Sequence, residues 1–330
     1  MALPLTSPAA TLCILRLSAV GDICHTLPIV RTLQQVWPDT KVTWIIGKLE
    51  HSLIGDIPGI EFIIFDKAKG FKAYRELRQQ MKGRHFDVLL HMQMSLRASL
   101  ASLLIPANIR LGFDKQREND LQWLFTNAQI TYKQKQHVME SFFGFLERLG
   151  IEEKRLKWDI PIPTSAYDEI NPQLPQKPFM VISPCSSMAY RNWHVEGYSQ
   201  VIDYAADKYH LPTVLTGGPS AIEQEYGDQI FRCCKHKPVN VIGKTSLKNL
   251  LAVLQQAELL VAPDSGPAHM ATAVGTPVIG LYAATNPDRA RPYLNPELVV
   301  NRYPEAVYQK YAKPVDEVSW GIRIREPGTM

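Results

Sequence analysis

Residues 261–282, VAPDSGPAHMATAVGTPVIGLY, place an acid, a hydroxyl and a glycine directly after an apolar run: Asp264, Ser265 and Gly266. Pro267 follows, and proline is favoured in the first turn of a helix, where its missing N–H costs nothing. After Gly275 and Pro277 a second apolar run begins. The order is strand, polar turn, helix, strand. A helix that opens on a Ser-Gly turn aims free backbone N–H groups and the positive end of its dipole beyond the strand tip, which makes an anion site, most often for phosphate. A carboxylate beside a phosphate would repel it, so Asp264 suits a different task, accepting hydrogen bonds from sugar hydroxyls. A phosphate cradle next to a hydroxyl acceptor points to a sugar nucleotide.

Other polar residues sit at comparable positions. The run ILRLSAVGDICHTLP puts Gly21 and Asp22 where a first strand turns into a helix over 23–36. Gly21 permits a tight turn. Asp22 reads as a helix cap or as a carboxylate able to take a proton from a hydroxyl nucleophile, and one side chain can do both. His25, one turn on, reads as a satisfied partner rather than a catalyst. In SPCSSMAYRNWHVEGY, Ser186, Ser187 and Arg191 share one loop before a helix. Hydroxyls with a guanidinium suit a diphosphate, because arginine binds phosphate in two-pronged fashion and stays charged; a plain loop with a surface arginine is the competing reading. In LTGGPSAIEQEYGDQI, Gly217 and Gly218 allow close approach of a ligand, and Glu223 or Glu225 could bond ribose hydroxyls or lie on a solvated helix face. His269, inside the helix opened by Pro267, faces either the phosphate cradle or the core.

The elements that must hold these residues alternate along the chain. Strands are expected at 12–17, 42–46, 62–65, 88–91 and 109–112, with helices at 23–36, 73–82, 96–104 and 138–149 between and after them. The stripe Phe142, Phe145, Leu146 and Leu149 has helical spacing and reads as core. Five prolines between 159 and 178 then read as an interdomain linker. The alternation restarts, with strands at 179–183, 213–216, 239–242, 259–262 and 278–281 and helices near 195–209, 221–234, 247–256 and 268–274. This predicts an α/β protein with parallel sheets covered on both faces, in a domain over 1–160, a linker over 161–178 and a domain over 179–330. A helix near 305–313 could cross back to the first domain. Ligands in such sheets bind beyond the carboxyl ends of the strands, and every loop named above follows one, so a central cleft is expected.

At 330 residues with 45% hydrophobic and 21% charged content, the chain is a globular protein of two-domain size, and no apolar run is long enough to span a membrane. The N-terminus lacks the basic start of a signal peptide and reads as a loose leader entering the first strand. Five cysteines without a CxxC pair suit a reduced, cytoplasmic protein rather than a zinc site or a disulfide framework. The first 165 residues hold 21 Lys+Arg against 16 Asp+Glu, the rest 15 against 16. Much of the excess is local: Lys67, Lys69, Lys72, Arg75, Arg78, Lys82 and Arg84 face only Asp66 and Glu76, either as a solvated helix face or as an anion-binding surface. The chain has no GxGxxG and no GxxxxGK[ST], which argues against dinucleotide oxidoreductases and P-loop NTPases. It also lacks a DxD pair for a metal-bound diphosphate.

Together ILRLSAVGDICHTLP, RLGFDKQR, SSMAYRNW, LTGGPSAIEQE and DSGPAHMATAVGTPVIGLY with TNPDRARPY resemble the ADP-heptose:lipopolysaccharide heptosyltransferases, glycosyltransferase family 9 of the GT-B fold, over about residues 12 to 290. The resemblance implies two doubly wound Rossmann-like domains facing a central cleft. It also implies an inverting, metal-independent transfer of heptose, without cofactor, from ADP-heptose to the Kdo–lipid A or inner-core lipopolysaccharide acceptor. Such an enzyme is cytoplasmic and peripheral at the inner face of the inner membrane, and it needs no nucleic acid. Carried onto this chain, Asp22 matches the general base, while Ser186, Ser187 and Arg191 match the diphosphate loop. Glu223 matches a ribose-binding acid and Asp264 the residue holding heptose hydroxyls. Ser265 and Gly266 match the phosphate turn, and His269 a nearby site histidine. Lys67, Lys69, Lys72 and Arg117 become candidates for the anionic acceptor. The chain departs from the family in Arg191, where lysine is common, and in Ala283–Ala284 before Thr285, where Gly-Pro is usual. The competing readings are a non-hydrolysing UDP-sugar 2-epimerase and a sugar-nucleotide-binding protein without turnover.

Overall fold

Each half of the chain builds one six-stranded parallel sheet, in the same strand order. The structure is a computed structural model and describes residues 3–117, 120–176, 178–326 and 328–330. It divides into two units, Met1–Pro161 and Ile162–Met330.

Unit 1 runs β1 (Thr11–Leu15), α1 (Val20–Val36), β2 (Lys41–Gly47), α2 (Lys48–Ile54), β3 (Ile60–Phe65), α3 (Phe71–Gln80), β4 (Phe86–His91), α4 (Leu96–Ser102), β5 (Ala107–Gly112), β6 (Ala128–Gln129) and α5 (Val138–Leu149). Its sheet order is β3-β2-β1-β4-β5-β6, the doubly wound arrangement. β1 is central, with Leu12 beside Val42 on one side and Val88 on the other. Both faces are covered, so Leu12, Cys13, Ile14 and Leu15 are all fully buried, as a parallel core strand requires. On one face α3 and α4 pack Ala73, Leu77, Ala98 and Ala101 against Leu15, Ile45 and Phe65. The apolar stripe of α5 is buried as its spacing demands, Phe145 meeting Phe113 edge to face at 5.0 Å.

α1 contains Pro28, which cannot donate to the carbonyl of Cys24. The indole N–H of Trp158 supplies the missing donor at 2.8 Å. The same segment is tied down by the Arg155 amide donating to Thr32 Oγ1 (3.0 Å) and by Arg31 donating to the carbonyls of Trp158 and Asp159.

Unit 2 runs α6 (Thr164–Ile170), β7 (Met180–Ile182), α7 (Val195–Tyr209), β8 (Thr213–Leu215), α8 (Ala221–Cys233), β9 (Val239–Asn240), α9 (Leu247–Gln256), β10 (Leu259–Pro263), α10 (Gly266–Ala273), β11 (Val278–Tyr282), α11 (Pro287–Ala290), β12 (Val299–Asn301) and α12 (Tyr303–Tyr311). Its order, β12-β11-β10-β7-β8-β9, repeats that of unit 1. Unit 2 begins at Ile162, inside the stretch expected as a linker. α6 lies on α9, with Asn249 Nδ2 donating to the Ala166 carbonyl (3.1 Å) and to Glu169 (3.0 Å). The helix expected at 305–313 is α12, and its Tyr303, Ala306 and Val307 pack on Ala283 and Ile324 of the same unit. Among the described residues no helix is long and apolar enough to cross a membrane.

Candidate functional site

In a sheet of this order the chain leaves adjacent central strands in opposite directions, which opens a crevice beyond their carboxyl ends. In unit 1 these strands are β1 and β4. Asp22 lies in the first turn of α1, which starts at Val20, so it is the third helical residue and caps by reaching back to the N-cap backbone rather than from the N-cap position itself. Its Oδ2 accepts from the Ala19 amide at 3.4 Å and forms an ion pair with Nη2 of Arg16. Arg16 is 7% exposed. Its Nη1 donates to the Met92 carbonyl, and its guanidinium carbon sits 5.2 Å from the Phe142 ring centre. So enclosed, the guanidinium fixes the orientation of the carboxylate. Gln93, after β4, holds the same loop: its Oε1 accepts from the amides of Leu17 (2.6 Å) and Ser18 (3.3 Å).

Behind Gln93 lies His91, fully buried between Ser99 Oγ at 3.3 Å and Gln122 Nε2 at 3.2 Å. Burial, reinforced by Arg110 and Arg16, pushes its pKa down to about 3, so it is neutral and serves as scaffold. His25 is buried and meets His137 edge to face at 5.3 Å. Neither Arg16 nor Gln93 stood out in the sequence as a site residue. The only signal was a polar residue directly following an apolar run.

The candidate acceptor residues split. Lys67, Lys69 and Lys72 cluster on the turn Lys67–Lys69 and the start of α3, all exposed, with Lys69 paired to Glu76 at 2.9 Å. Arg117 is not with them. It is spent on its own loop, pairing with Asp114 (2.5 Å) and donating to Gln136 Oε1 (2.7 Å).

In unit 2 the corresponding strands are β7 and β10, and the candidates fall on their two loops. Arg191 Nη1 reaches across from the β7 loop to Asp264, 3.2 Å from its carbonyl and 3.1 Å from Oδ2. His269 presents Nε2 4.0 Å from Asp264 Oδ1, so it faces the cradle. Ser265 caps α10 by backbone position only: its hydroxyl makes no cap bond and, among the described residues, has no partner although it is buried. The first turn of α10 therefore has no side-chain cap, and uncapped N–H groups at a helix start, with a buried hydroxyl beside them, suit an anion. Ser186 is held by its amide donating to Asn192 Oδ1 at 2.7 Å, while Ser187 is exposed.

Glu223 turns toward its own loop. Its carboxylate accepts from the Gly218 amide (2.6 Å) and from Ser220 Oγ (3.2 Å), so it fixes the Gly217–Gly218 backbone, and a ribose hydroxyl would have to share it. Tyr190 escaped the sequence reading. Its ring lies 5.7 Å from the Arg191 guanidinium, and its hydroxyl is enclosed without a partner among the described residues. Cys185, in the loop after β7, is pushed up to about 12 by burial and by Glu223, so it stays a thiol. The two loci can do different chemistry: unit 2 offers an anion cradle beside a carboxylate, unit 1 an oriented carboxylate.

Residues 74–320 match the family described as glycosyltransferase family 9 (heptosyltransferase). The chain is 40% identical, over 98% of its length and 94% of the relative's, to the lipopolysaccharide core heptosyltransferase OpsX of Haemophilus influenzae. In structure it is similar to a family 9 glycosyl transferase from Veillonella parvula, with a TM-score of 0.77, 21% identity and coverage of 95% and 92% of the two chains. It is also similar to the Escherichia coli heptosyltransferase WaaC with ADP, with a TM-score of 0.68, 21% identity and coverage of 84% and 89%.

Proposed function

The chain belongs to glycosyltransferase family 9, and from that premise we propose that it transfers heptose from ADP-heptose to a hydroxyl of the Kdo–lipid A or inner-core lipopolysaccharide, inverting the anomeric configuration. It is a GT-B glycosyltransferase of the heptosyltransferase type. The observation that carries the donor half of this reading is the arrangement at β7 and β10: Arg191, Asp264 and the unpartnered Ser265 hydroxyl at the start of α10. The helix N-terminus with Ser265 and Gly266 takes the diphosphate, Arg191 adds a cation, and Asp264 takes sugar hydroxyls. Ser186 and Ser187 line the diphosphate loop, Glu223 takes the ribose and His269 backs Asp264. As the glycosidic bond breaks, charge builds on the departing phosphate, and fixed donors there stabilise the transition state.

Asp22 acts as general base. Its contacts with Arg16 and Ala19 fall on Oδ2, and Oδ1 takes the proton of the acceptor hydroxyl as that oxygen attacks the anomeric carbon opposite the leaving ADP. Lys67, Lys69 and Lys72 attract the phosphates and carboxylates of the acceptor. The acceptor is lipid-linked, so the enzyme works at the inner membrane surface, presenting the basic stretch of unit 1 to anionic lipid.

The test is transfer from ADP-heptose to lipopolysaccharide lacking core heptose, with the product linkage assigned by NMR. Asp22→Ala should lower turnover by about a hundredfold or more while sparing donor affinity. Full turnover in that variant rules out the base. A product that keeps the donor's anomeric configuration rules out inversion.

A further inference from the structure

We propose that Arg325, on the C-terminal segment, is a second cationic contact for the donor's diphosphate, acting beside Arg191; this rests on the donor reading above. The segment is built onto the loop that follows β11. The Ile324 amide donates to the Ala284 carbonyl at 2.9 Å, Arg323 bridges antiparallel to Thr285, and Asn286 Nδ2 donates to the Trp320 carbonyl at 3.4 Å. Ile324 is 2% exposed and packs with Ala283 and Tyr303. In extended chain the side chains alternate, so with Ile324 turned inward Arg323 and Arg325 turn outward.

Arg325 then meets the diphosphate loop. Its guanidinium lies 6.0 Å from the centre of the Tyr190 ring, the same ring that carries the Arg191 guanidinium at 5.7 Å. The Tyr190 hydroxyl is enclosed and has no partner among the described residues. The carboxylate nearest in sequence, Glu326, is taken by Lys310 at 2.5 Å, and among the described residues no carboxylate pairs with the Arg325 guanidinium. A cation held over an aromatic face without a counter-ion is suited to an anionic ligand.

The chemistry calls for one. Arg191 is already shared with Asp264 through its carbonyl and its carboxylate, so it offers the diphosphate only part of a charge. A departing nucleoside diphosphate carries more negative charge than that remainder can offset, and guanidinium–phosphate contacts are among the strong charge-assisted bonds.

The experiment compares wild type, Arg325→Gln and Arg325→Lys, with ADP and adenosine as probes in titration calorimetry, melting temperature confirming that each variant is folded. We expect Arg325→Gln to weaken ADP about tenfold, with adenosine unchanged and Arg325→Lys recovering part of the loss. ADP affinity unchanged in Arg325→Gln overturns the assignment, and so does an equal loss for ADP and adenosine. Wild type binding ADP no better than adenosine defeats the donor reading itself, and this inference with it. The two failures therefore remain distinguishable.

Discussion

Arg16 shows how one buried charge can set the geometry of another. It holds the Asp22 carboxylate while anchored to the Met92 carbonyl and the Phe142 ring. Arg16→Gln keeps a donor but loses the fork, so turnover should fall by about tenfold or more with the donor's affinity intact; unchanged turnover would show that the carboxylate needs no anchor. His91 makes a second residue-scale prediction. Its folded pKa, about 3, lies below the ordinary 6.5. The neutral ring is favoured in the fold, and only the unfolded chain takes up a proton as pH drops below 6.5. The stability His91 contributes is therefore complete above pH 6.5 and declines as pH falls from there toward 3, by at most roughly 1.4 kcal/mol per pH unit. Denaturant unfolding at pH 7 and pH 5 should show this slope, and His91→Gln should flatten it.

At this scale the sequence made Asp22, Asp264 and Arg191 legible, because each follows an apolar run that had to be a strand. It could not show that Arg191 lies against Asp264, 73 residues away, or that Arg16 and Gln93 converge on one loop. Those pairings depend on which strands become neighbours, and strand order is invisible to local spacing.

Among the elements, α1 carries the clearest structural debt. Pro28 leaves the Cys24 carbonyl without its helical donor, and Trp158 provides one. Trp158→Phe keeps most of the packing and removes the N–H, leaving a buried carbonyl unsatisfied at a cost of about 1–3 kcal/mol. Denaturant unfolding reads that cost directly, and a variant as stable as wild type would mean that water or another group satisfies Cys24. The long alternating elements were legible in the sequence because their periodicity is set by burial. Of the short ones, β7, β8 and β9 were legible because longer apolar runs contain them, while β6, β12 and α6 were not. β6 and β12 are edge strands of two and three residues, too brief to show a pattern. α6 was masked by the prolines around it, although Pro163 caps it and no proline falls within 164–170.

For the whole molecule the informative property is where its charge resides. Unit 1 holds the positive excess and unit 2 is close to neutral. Unit 1 also exposes apolar side chains beside basic residues in the chain: Phe71, next to Lys72, is 89% exposed and Leu96, next to Arg97, is 56% exposed. The Tyr74 hydroxyl donates to the Arg97 carbonyl at 3.3 Å, which ties the first turns of α3 and α4, the turns that carry Phe71 and Leu96. Basic residues beside exposed apolar ones suit an anionic bilayer surface. The Phe71→Ser, Leu96→Ser double variant should float with phosphatidylglycerol-containing vesicles about tenfold less well than wild type, given the apolar burial it forgoes, and binding by wild type should weaken with salt. Equal flotation of the two proteins would remove this face from the membrane reading.

β1 precedes both of its partners in the chain yet lies in the middle of its sheet, flanked by β2 and β4. During synthesis its second edge has no partner until residue 91 has left the ribosome, so the nascent chain carries an open apolar ribbon for tens of residues. Unit 2 repeats the difficulty, since β7 must wait for β10. The order in which the strands emerge should therefore make the need for chaperones greatest in those two intervals.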